Sequence, residues 1–258
     1  QMITKRIEAA KIGVIRVHGN FSIVSGDPYA LCQSIFGLPV TGLLRAGEAY
    51  NRYWNDQKAA RVVCFRAPMT CHNNIRLLCM RDTEEMRDWY RYLTTVTIFN
   101  AWDTAAHALN GLDKDSDSCL LTDNPILVEN TREDPAILCI QRLAEKRRVT
   151  QADLIQANIN SFGDEIGAIT NRITSMFEVQ ARFAPGSEAY QTLDYRIKCG
   201  QLFQQNAIDK AKGILAKPMP KEWYSPSSLR CSEGDSPEQE RRKAQLRELL
   251  ADKKPYFM

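Results

Sequence analysis

The 258-residue sequence lacks the features that would place it in a membrane or on the secretory route. It has no run of about 18 consecutive apolar residues, so it predicts no membrane span. Its first residues lack the apolar core of a signal peptide. We therefore expect a cytoplasmic protein without a membrane partner.

Closely spaced cysteine pairs, internal repeats and low-complexity tracts are also absent. The eight cysteines are spread along the chain and lie mostly in apolar runs. Cys64, Cys71 and Cys79 lie further apart than the about two to four residues typical of structural zinc knuckles. We interpret the cysteines as reduced thiols of a protein core.

The composition that is present is typical of a globular protein. Hydrophobic residues make up 44% and charged residues 25%, and the 34 basic and 31 acidic side chains give a net charge of +3. These values exclude a disordered or fibrous chain. The length allows one large domain or two smaller ones.

Apolar spacing and turn signals predict a mixed first part and a helical second part. Asp27 followed by Pro28 predicts a helix start, because Asp caps free N–H groups and Pro fits the first turn. Strands are expected over residues 61–66, 75–80, 94–99, 119–122, 126–128 and 136–140, and helices over residues 46–57, 164–182 and 187–212.

The same change of character suggests three segments. Residues 1–145 form a mixed α/β region, residues 146–222 a helical region, and residues 223–258 a linker with a charged terminal helix. Alternating charges in that last helix indicate a solvated face.

The most distinctive motif is a cluster of carboxylates. Asp113, Asp115 and Asp117 alternate within the sequence NGLDKDSDS of residues 110–118. Such a cluster repels itself unless it is exposed to water or holds a cation. A compact loop would turn all three side chains toward one point, and Mg²⁺ suits such hard oxygen ligands.

Two other interpretations of this motif stay open. A calcium loop of the EF-hand type also begins Asp-x-Asp-x-Asp, but it requires Gly and Glu where this sequence has Ser118 and Asn124. An acidic surface turn without a ligand is the second alternative.

Three further blocks accompany the aspartates in a fixed order. Residues 62–76 (VVCFRAPMTCHNNIR) resemble the strand, Arg-x-Pro and His segment that precedes the metal-binding loop of two-barrel RNA polymerases. Residues 163–171 (GDEIGAITN) resemble a helix start that follows the loop. Residues 199–213 (CGQLFQQNAIDKAKG) resemble the Ala-Val-Asp-x-x-Lys-x-Gly segment of the RNA-dependent enzymes.

The chain is therefore similar to the double-psi β-barrel RNA polymerases, specifically the silencing-type RNA-dependent enzymes and their single-chain phage relatives. The resemblance implies an α+β fold: a double-psi β-barrel catalytic domain with flanking helices, followed by a mainly helical C-terminal part. It also implies nucleotidyl transfer from NTPs to an RNA 3′ end. A phage origin would place the protein in a bacterial host cell or in a virion.

The resemblance also implies roles for individual residues. Asp113, Asp115 and Asp117 match the aspartates that hold the catalytic Mg²⁺. Arg66 matches the arginine that helps to select the ribonucleotide. Asn110 lies three residues before the first aspartate and is a second candidate for substrate binding. Ser116 replaces the usual glycine, so its backbone must adopt a φ that serine tolerates less well.

The expected partners are the nucleic-acid template, the RNA product, NTPs and a second, lysine-bearing barrel, which lies elsewhere in the same chain or in another subunit. We expect this chain to be only part of the complete enzyme. His72 either contacts substrate or closes a turn. The candidate nucleic-acid-binding residues are Arg76, Lys198, Lys210 and Lys212.

Two other functions remain open from the sequence. One is a non-catalytic barrel module that binds nucleic acid or acts as a scaffold. The other is a metal-dependent nuclease.

Overall fold

The computed structural model describes residues 1–11, 13–14, 16–146, 148–161, 164–252 and 254–255. The chain divides into two compact units, an N-terminal unit (Gln1–Leu138) and a C-terminal unit (Cys139–Met258). Gly163, the first residue of one sequence block noted above, and residues 256–258 of the predicted terminal segment lie outside the described residues.

The N-terminal unit is built on six strands and short helices. The strands are β1 (Asn20–Gly26), β2 (Glu48–Asn51), β3 (Arg61–Phe65), β4 (Ile75–Met80), β5 (Val96–Phe99) and β6 (Ser118–Thr122). The helices are α1 (Met2–Lys11), α2 (Pro28–Ile35), α3 (Arg52–Asp56), α4 (Glu84–Trp89), α5 (Ala105–Ala108) and α6 (Pro125–Asn130).

The six strands form a closed barrel in the order β1-β5-β2-β4-β3-β6. The β1–β5 and β2–β4 pairs are parallel, and the other four pairs are antiparallel. Closure gives every strand two neighbours, so the barrel has no free edge. The barrel and its flanking helices confirm the predicted α+β class.

Alternating side chains fill the interior of the barrel. Trp54, Val62, Leu78 and Leu121 are almost completely buried in one cluster. The indole N–H of Trp54 donates to Asn20 Oδ1 at 3.0 Å, so the polar edge of this large side chain is satisfied. The interior is therefore packed, and chemistry must take place on the connections between the strands.

A second cluster packs outside the barrel around a buried carboxylate. Asp27 caps α2 by accepting from the amides of Tyr29 and Ala30. Its other oxygen accepts from the Leu43 amide at 2.7 Å, and the Tyr90 hydroxyl donates to Oδ1 at 2.8 Å. The predicted start of α2 is confirmed, and its cap also joins three separate segments.

Some predicted elements differ in the structure. Residues 46–57 form β2 followed by α3 rather than one helix, because β2 pairs with both β4 and β5. Residues 126–128 lie in α6, which Pro125 begins and Asn124 caps. Residues 136–140 contain no strand.

The C-terminal unit is mainly helical, as predicted. Its helices are α7 (Gln151–Ser161), α8 (Glu165–Gln180), α9 (Glu188–Ile208) and α10 (Pro237–Glu248). The longest pair, α8 and α9, is tightly packed around Ile173, Met176, Leu193 and Ile197. No helix in the described ranges is long and apolar enough to cross a bilayer.

Candidate active-site loop

The three aspartates lie in the connection between α5 and β6, which we call the acid loop (residues 110–117). The loop bends through residues with positive φ at Asn110, Gly111 and Ser116. The backbone carbonyl of Asp117 accepts from the Val24 amide at 3.0 Å, which ties the end of the loop to β1. The loop is therefore held at the start of the strand that closes the barrel.

Arg66, at the end of β3, holds the acid loop in place. Its guanidinium donates to the carbonyls of Leu109 and Asn110 at 3.2 and 2.9 Å and to Asp117 Oδ2 at 2.8 Å. Only 11% of its side chain is exposed. A planar, always-charged guanidinium suits this several-fold contact. In this structure Arg66 positions the loop, and its predicted contact with substrate remains a prediction.

The acidic side chains themselves do not converge. Asp113 and Asp115 are exposed, whereas Asp117 Oδ2 accepts from Arg66 and from the Asp113 amide at 2.7 Å. No three His, Cys, Asp or Glu side chains among the described residues are grouped as ligands for one metal ion. Carboxylates repel one another without a cation between them, and the Arg66 guanidinium holds Asp117.

The chemistry of these donors still suits a hard divalent cation, because three carboxylates are carried by one short, largely exposed loop. Their present positions do not form a ligand set. The convergence expected from the sequence is thus not found, and the assignment of Mg²⁺ remains a prediction.

Lys114 lies between the first two aspartates, and the sequence motif predicts no role for it. A Cβ atom added at Gly26 would lie 2.7 Å from Lys114 Nζ, so this ammonium group lies against the end of β1. A cation within the acid loop reduces the repulsion among its carboxylates. The alternating pattern of the aspartates does not predict where the Lys114 side chain lies, because its contact with β1 depends on the fold.

The connection between β3 and β4 packs beneath the acid loop. Asn110 donates through Nδ2 to the Pro68 carbonyl at 3.1 Å. Asn74 accepts from the amides of Thr70 and Cys71 and donates to the Ala108 carbonyl at 2.7 Å. The Arg-x-Pro segment and the acid loop are therefore joined by hydrogen bonds, as their common presence in the resemblance suggests.

His72 and Arg76 lie in the same connection. His72 is exposed and begins the 3-10 turn His72–Asn74. Arg76 is 7% exposed and donates to the carbonyls of Asn73 and Asp134. This placement favours a structural role for Arg76 over a contact with nucleic acid.

The predicted basic residues of the C-terminal unit all form ion pairs. Lys198 Nζ lies 2.6 Å from Asp194, Lys210 Nζ lies 3.1 Å from Glu165, and Lys212 Nζ lies 3.3 Å from Asp209. Each acid offsets the positive charge that would attract a phosphate. Their predicted role in nucleic-acid binding remains a prediction.

Two buried thiols lie inside the barrel near the guanidinium. Hydrogen bonding with Cys119 and burial raise the pKa of Cys64, so this thiol stays neutral. The bond with Cys64 lowers the pKa of Cys119. All eight cysteines are free, but only Cys64, Cys71 and Cys119 are buried, so the interpretation as core thiols holds for these three and not for the others.

No family model matches the sequence, and no curated protein matches it. Among solved structures, the chain is similar to the RNA-dependent RNA polymerase QDE-1 from Thielavia terrestris, with a TM-score of 0.54 at 12% sequence identity. The two proteins share a fold.

The similarity covers 84% of this chain and 25% of QDE-1. The chain therefore spans about a quarter of the length of that polymerase. Together with the closed barrel, the similarity confirms the predicted double-psi barrel fold with a helical C-terminal part.

Proposed function

We propose that this chain is the catalytic, metal-binding part of a template-directed RNA polymerase. The observation that carries the proposal is the position of the acid loop, which enters the closing strand of a barrel whose fold is that of an RNA-dependent RNA polymerase. The chain would act with a second, lysine-bearing barrel, with a nucleic-acid template and with NTPs.

The reaction would be nucleotidyl transfer. The RNA 3′-hydroxyl attacks the α-phosphorus of an NTP, a new P–O bond forms, and the bond to pyrophosphate breaks. Mg²⁺ bound by the acid loop would lower the pKa of the hydroxyl and stabilise charge on the transferred phosphoryl group. Asp113, Asp115 and Asp117 are the proposed ligands, and none of them needs to act as a base.

Arg66 contributes by fixing where the loop begins and ends. It contacts both Asn110 at the entrance and Asp117 at the exit of the loop, so it limits how far the carboxylates can move. Positioning of this kind supports phosphoryl transfer, in which alignment and charge supply most of the rate enhancement. His72, which is exposed, is the proposed substrate contact. Asn110 is 2% exposed and donates to the Pro68 carbonyl, which favours a structural role for it.

One observation favours a second candidate, a barrel module that binds nucleic acid without catalysis. Asp117 already accepts from a guanidinium and an amide, so it is engaged before any metal arrives. A module of this kind would bind nucleic acid equally well with or without Mg²⁺.

The deciding experiment replaces Asp115 with Asn in the assembly that supplies the second barrel. Template-directed incorporation of labelled NTPs in the presence of Mg²⁺ should fall by at least about a hundredfold, because one charge at the transferring phosphoryl group is lost. Calorimetry should show weaker Mg²⁺ binding. Asp88→Asn, at an exposed position of α4, removes the same charge elsewhere and should leave both unchanged.

An unchanged incorporation rate in Asp115→Asn would refute the polymerase proposal. Nucleic-acid binding that is insensitive to Mg²⁺ and to loss of all three aspartates, in an assembly that incorporates no NTPs, would support the non-catalytic module. Cleavage of labelled RNA without NTPs would indicate a nuclease instead.

A further inference from the structure

The C-terminal unit contains a small open cleft that the proposed chemistry does not use. Its volume is about 230 Å³. The lining residues are Ile140, Arg142, Phe203, Asn206, Leu215 and Lys217. We propose that this cleft binds single-stranded nucleic acid, with phosphates on Arg142 and Lys217 and a base against Phe203.

Backbone pairing builds one wall of the cleft. Leu143 and Ile214 form an antiparallel bridge. The Leu215 amide donates to the Arg142 carbonyl at 2.8 Å, and the Ala144 amide donates to the Gly213 carbonyl at 2.9 Å. This pairing brings the chain around Arg142 beside the segment that carries Lys217, although the two residues are far apart in the sequence.

The two cations of the cleft differ from the other basic side chains discussed above. Within the described part of the chain, neither the Arg142 guanidinium nor the Lys217 ammonium forms an ion pair or a hydrogen bond, and both residues are exposed. Lys198, Lys210 and Lys212 are each held by an acid. A phosphate therefore meets less competition from carboxylates at the cleft.

The inner part of the cleft combines an aromatic ring with an oriented amide. Phe203 is half-buried, and its ring meets Trp223 edge-on at a centroid distance of 5.9 Å, which limits its rotation. The Cys139 thiol donates to Asn206 Oδ1 at 3.5 Å. That bond leaves the Asn206 Nδ2 donors for a ligand, since no acceptor within the described ranges binds them.

This combination selects for an unpaired strand. Cations contact the phosphates of any nucleic acid, but an aromatic ring can stack only on a base that has left a duplex. The cleft is too small for a double helix. Binding here extends the proposed function, because it names where a template or product strand would contact the C-terminal unit.

The test measures binding of a fluorescent single-stranded RNA by the full chain, using anisotropy without NTPs or Mg²⁺. In Arg142→Ala/Lys217→Ala, binding at low salt should weaken about tenfold. The slope of log K against log salt should become shallower by about 1.4, or about 0.7 for each lost phosphate contact. Phe203→Leu should weaken binding about fivefold or more through loss of stacking.

The matched control is Arg241→Ala/Arg242→Ala, at exposed positions of α10, which lowers the net charge by the same amount and should weaken binding less than twofold. Circular dichroism verifies the folding of each variant. An equal loss of RNA affinity in both double variants would refute binding in the cleft, because the affinity would then depend only on overall charge. The proposal would also be overturned if Arg142→Ala/Lys217→Ala bound RNA as tightly as the wild type. It would equally be overturned if this variant weakened binding of a blunt duplex as much as binding of the single strand.

Measurement of RNA binding tests the cleft independently of the proposed polymerase reaction. Asp115→Asn should leave RNA binding unchanged while incorporation is lost. The cleft variant should lose binding even if the chain has no polymerase activity, so each proposal can fail by itself.

Discussion

Ser116 occupies a backbone conformation that normally belongs to glycine, with φ at 107°. A side chain in this region costs about 1–3 kcal/mol. The strain persists because the loop is held on both sides of it, by Arg66 at Asp117 and by Asp117 at the Asp113 amide. Strain of this kind commonly marks functional sites, which agrees with the proposed role of the acid loop.

We therefore expect Ser116→Gly to raise the free energy of unfolding by about 1 kcal/mol, since relief of strain exceeds the added entropy of the unfolded chain. Urea denaturation measures this change. Ser118→Gly, inside β6, should instead lower it by about 0.5–1 kcal/mol. A lower stability of Ser116→Gly would contradict the assignment of strain.

Tyr90 makes the stability of the folded protein depend on pH. Burial, together with its bond to the Asp27 carboxylate, raises its pKa. The folded state thus holds the hydroxyl proton more tightly than the unfolded state does. Its contribution to stability is complete below about pH 10, where unfolded tyrosine titrates, and is lost as the pH rises above that value.

Tyr90→Phe should lose about 1.5–3 kcal/mol at pH 8, because a bond to a charged group disappears. Between about pH 9 and 11 its stability should then fall less steeply than that of the wild type. Unfolding in urea at each pH tests both effects, with Tyr92→Phe as the exposed control. Equal slopes for all three proteins would be incompatible with this role of Tyr90.

Single residues also show what the sequence can predict of the site. The unusual φ of Ser116 follows from a glycine position in the resembling loops. The pairing of Arg66 with Asp117 does not follow, because the two residues become neighbours only when β3 pairs with β6. Long-range pairing of charges depends on the fold and leaves no local pattern.

Among the elements, α8 and α9 show how glycines serve close packing. A Cβ atom at Gly200 would lie 2.6 Å from Ile173 Cγ1, and Ile173 is completely buried. Gly167, near the start of α8, has nothing within 4 Å of such an atom. Replacement of glycine with alanine should therefore change the free energy of unfolding in opposite directions in the two helices.

Gly167→Ala should raise the free energy of unfolding by about 0.5–1 kcal/mol through helix propensity. Gly200→Ala should lower it by about 1 kcal/mol, because overpacking exceeds that gain. Thermal or urea denaturation of the two variants checks the signs. Equal stabilisation would show that α8 and α9 are further apart than described.

Secondary structure is predictable where local signals agree. Apolar runs bounded by turn residues predict β3 and β4 closely, and the periodic spacing predicts α8 and α9. The spacing of Tyr50, Tyr53 and Trp54 misleads, since Tyr50 lies in β2 and the other two in α3. There the pairing of β2 with its neighbours overrides the helical pattern.

For the whole molecule, the N-terminal unit contains all six barrel strands and both of its apolar clusters. We expect residues 1–138 to fold alone and to unfold cooperatively, because all six strands and the apolar clusters packed on them lie within this range. Dispersed amide resonances in an NMR spectrum would show this. Residues 1–117, which lack β6, are the control and should remain unfolded; a disordered 1–138 would refute the division into units.

The strand order of the barrel has a consequence for biosynthesis. β6 is the last of the six barrel strands in sequence order, yet it lies between β1 and β3 and completes the ring. The acid loop leaves the ribosome immediately before it, so a nascent chain carries the aspartates with no fixed geometry. Completion of the ring is a slow step, because it joins distant segments. The proposed reaction centre therefore forms only after β6 has been synthesised and has paired with β1 and β3.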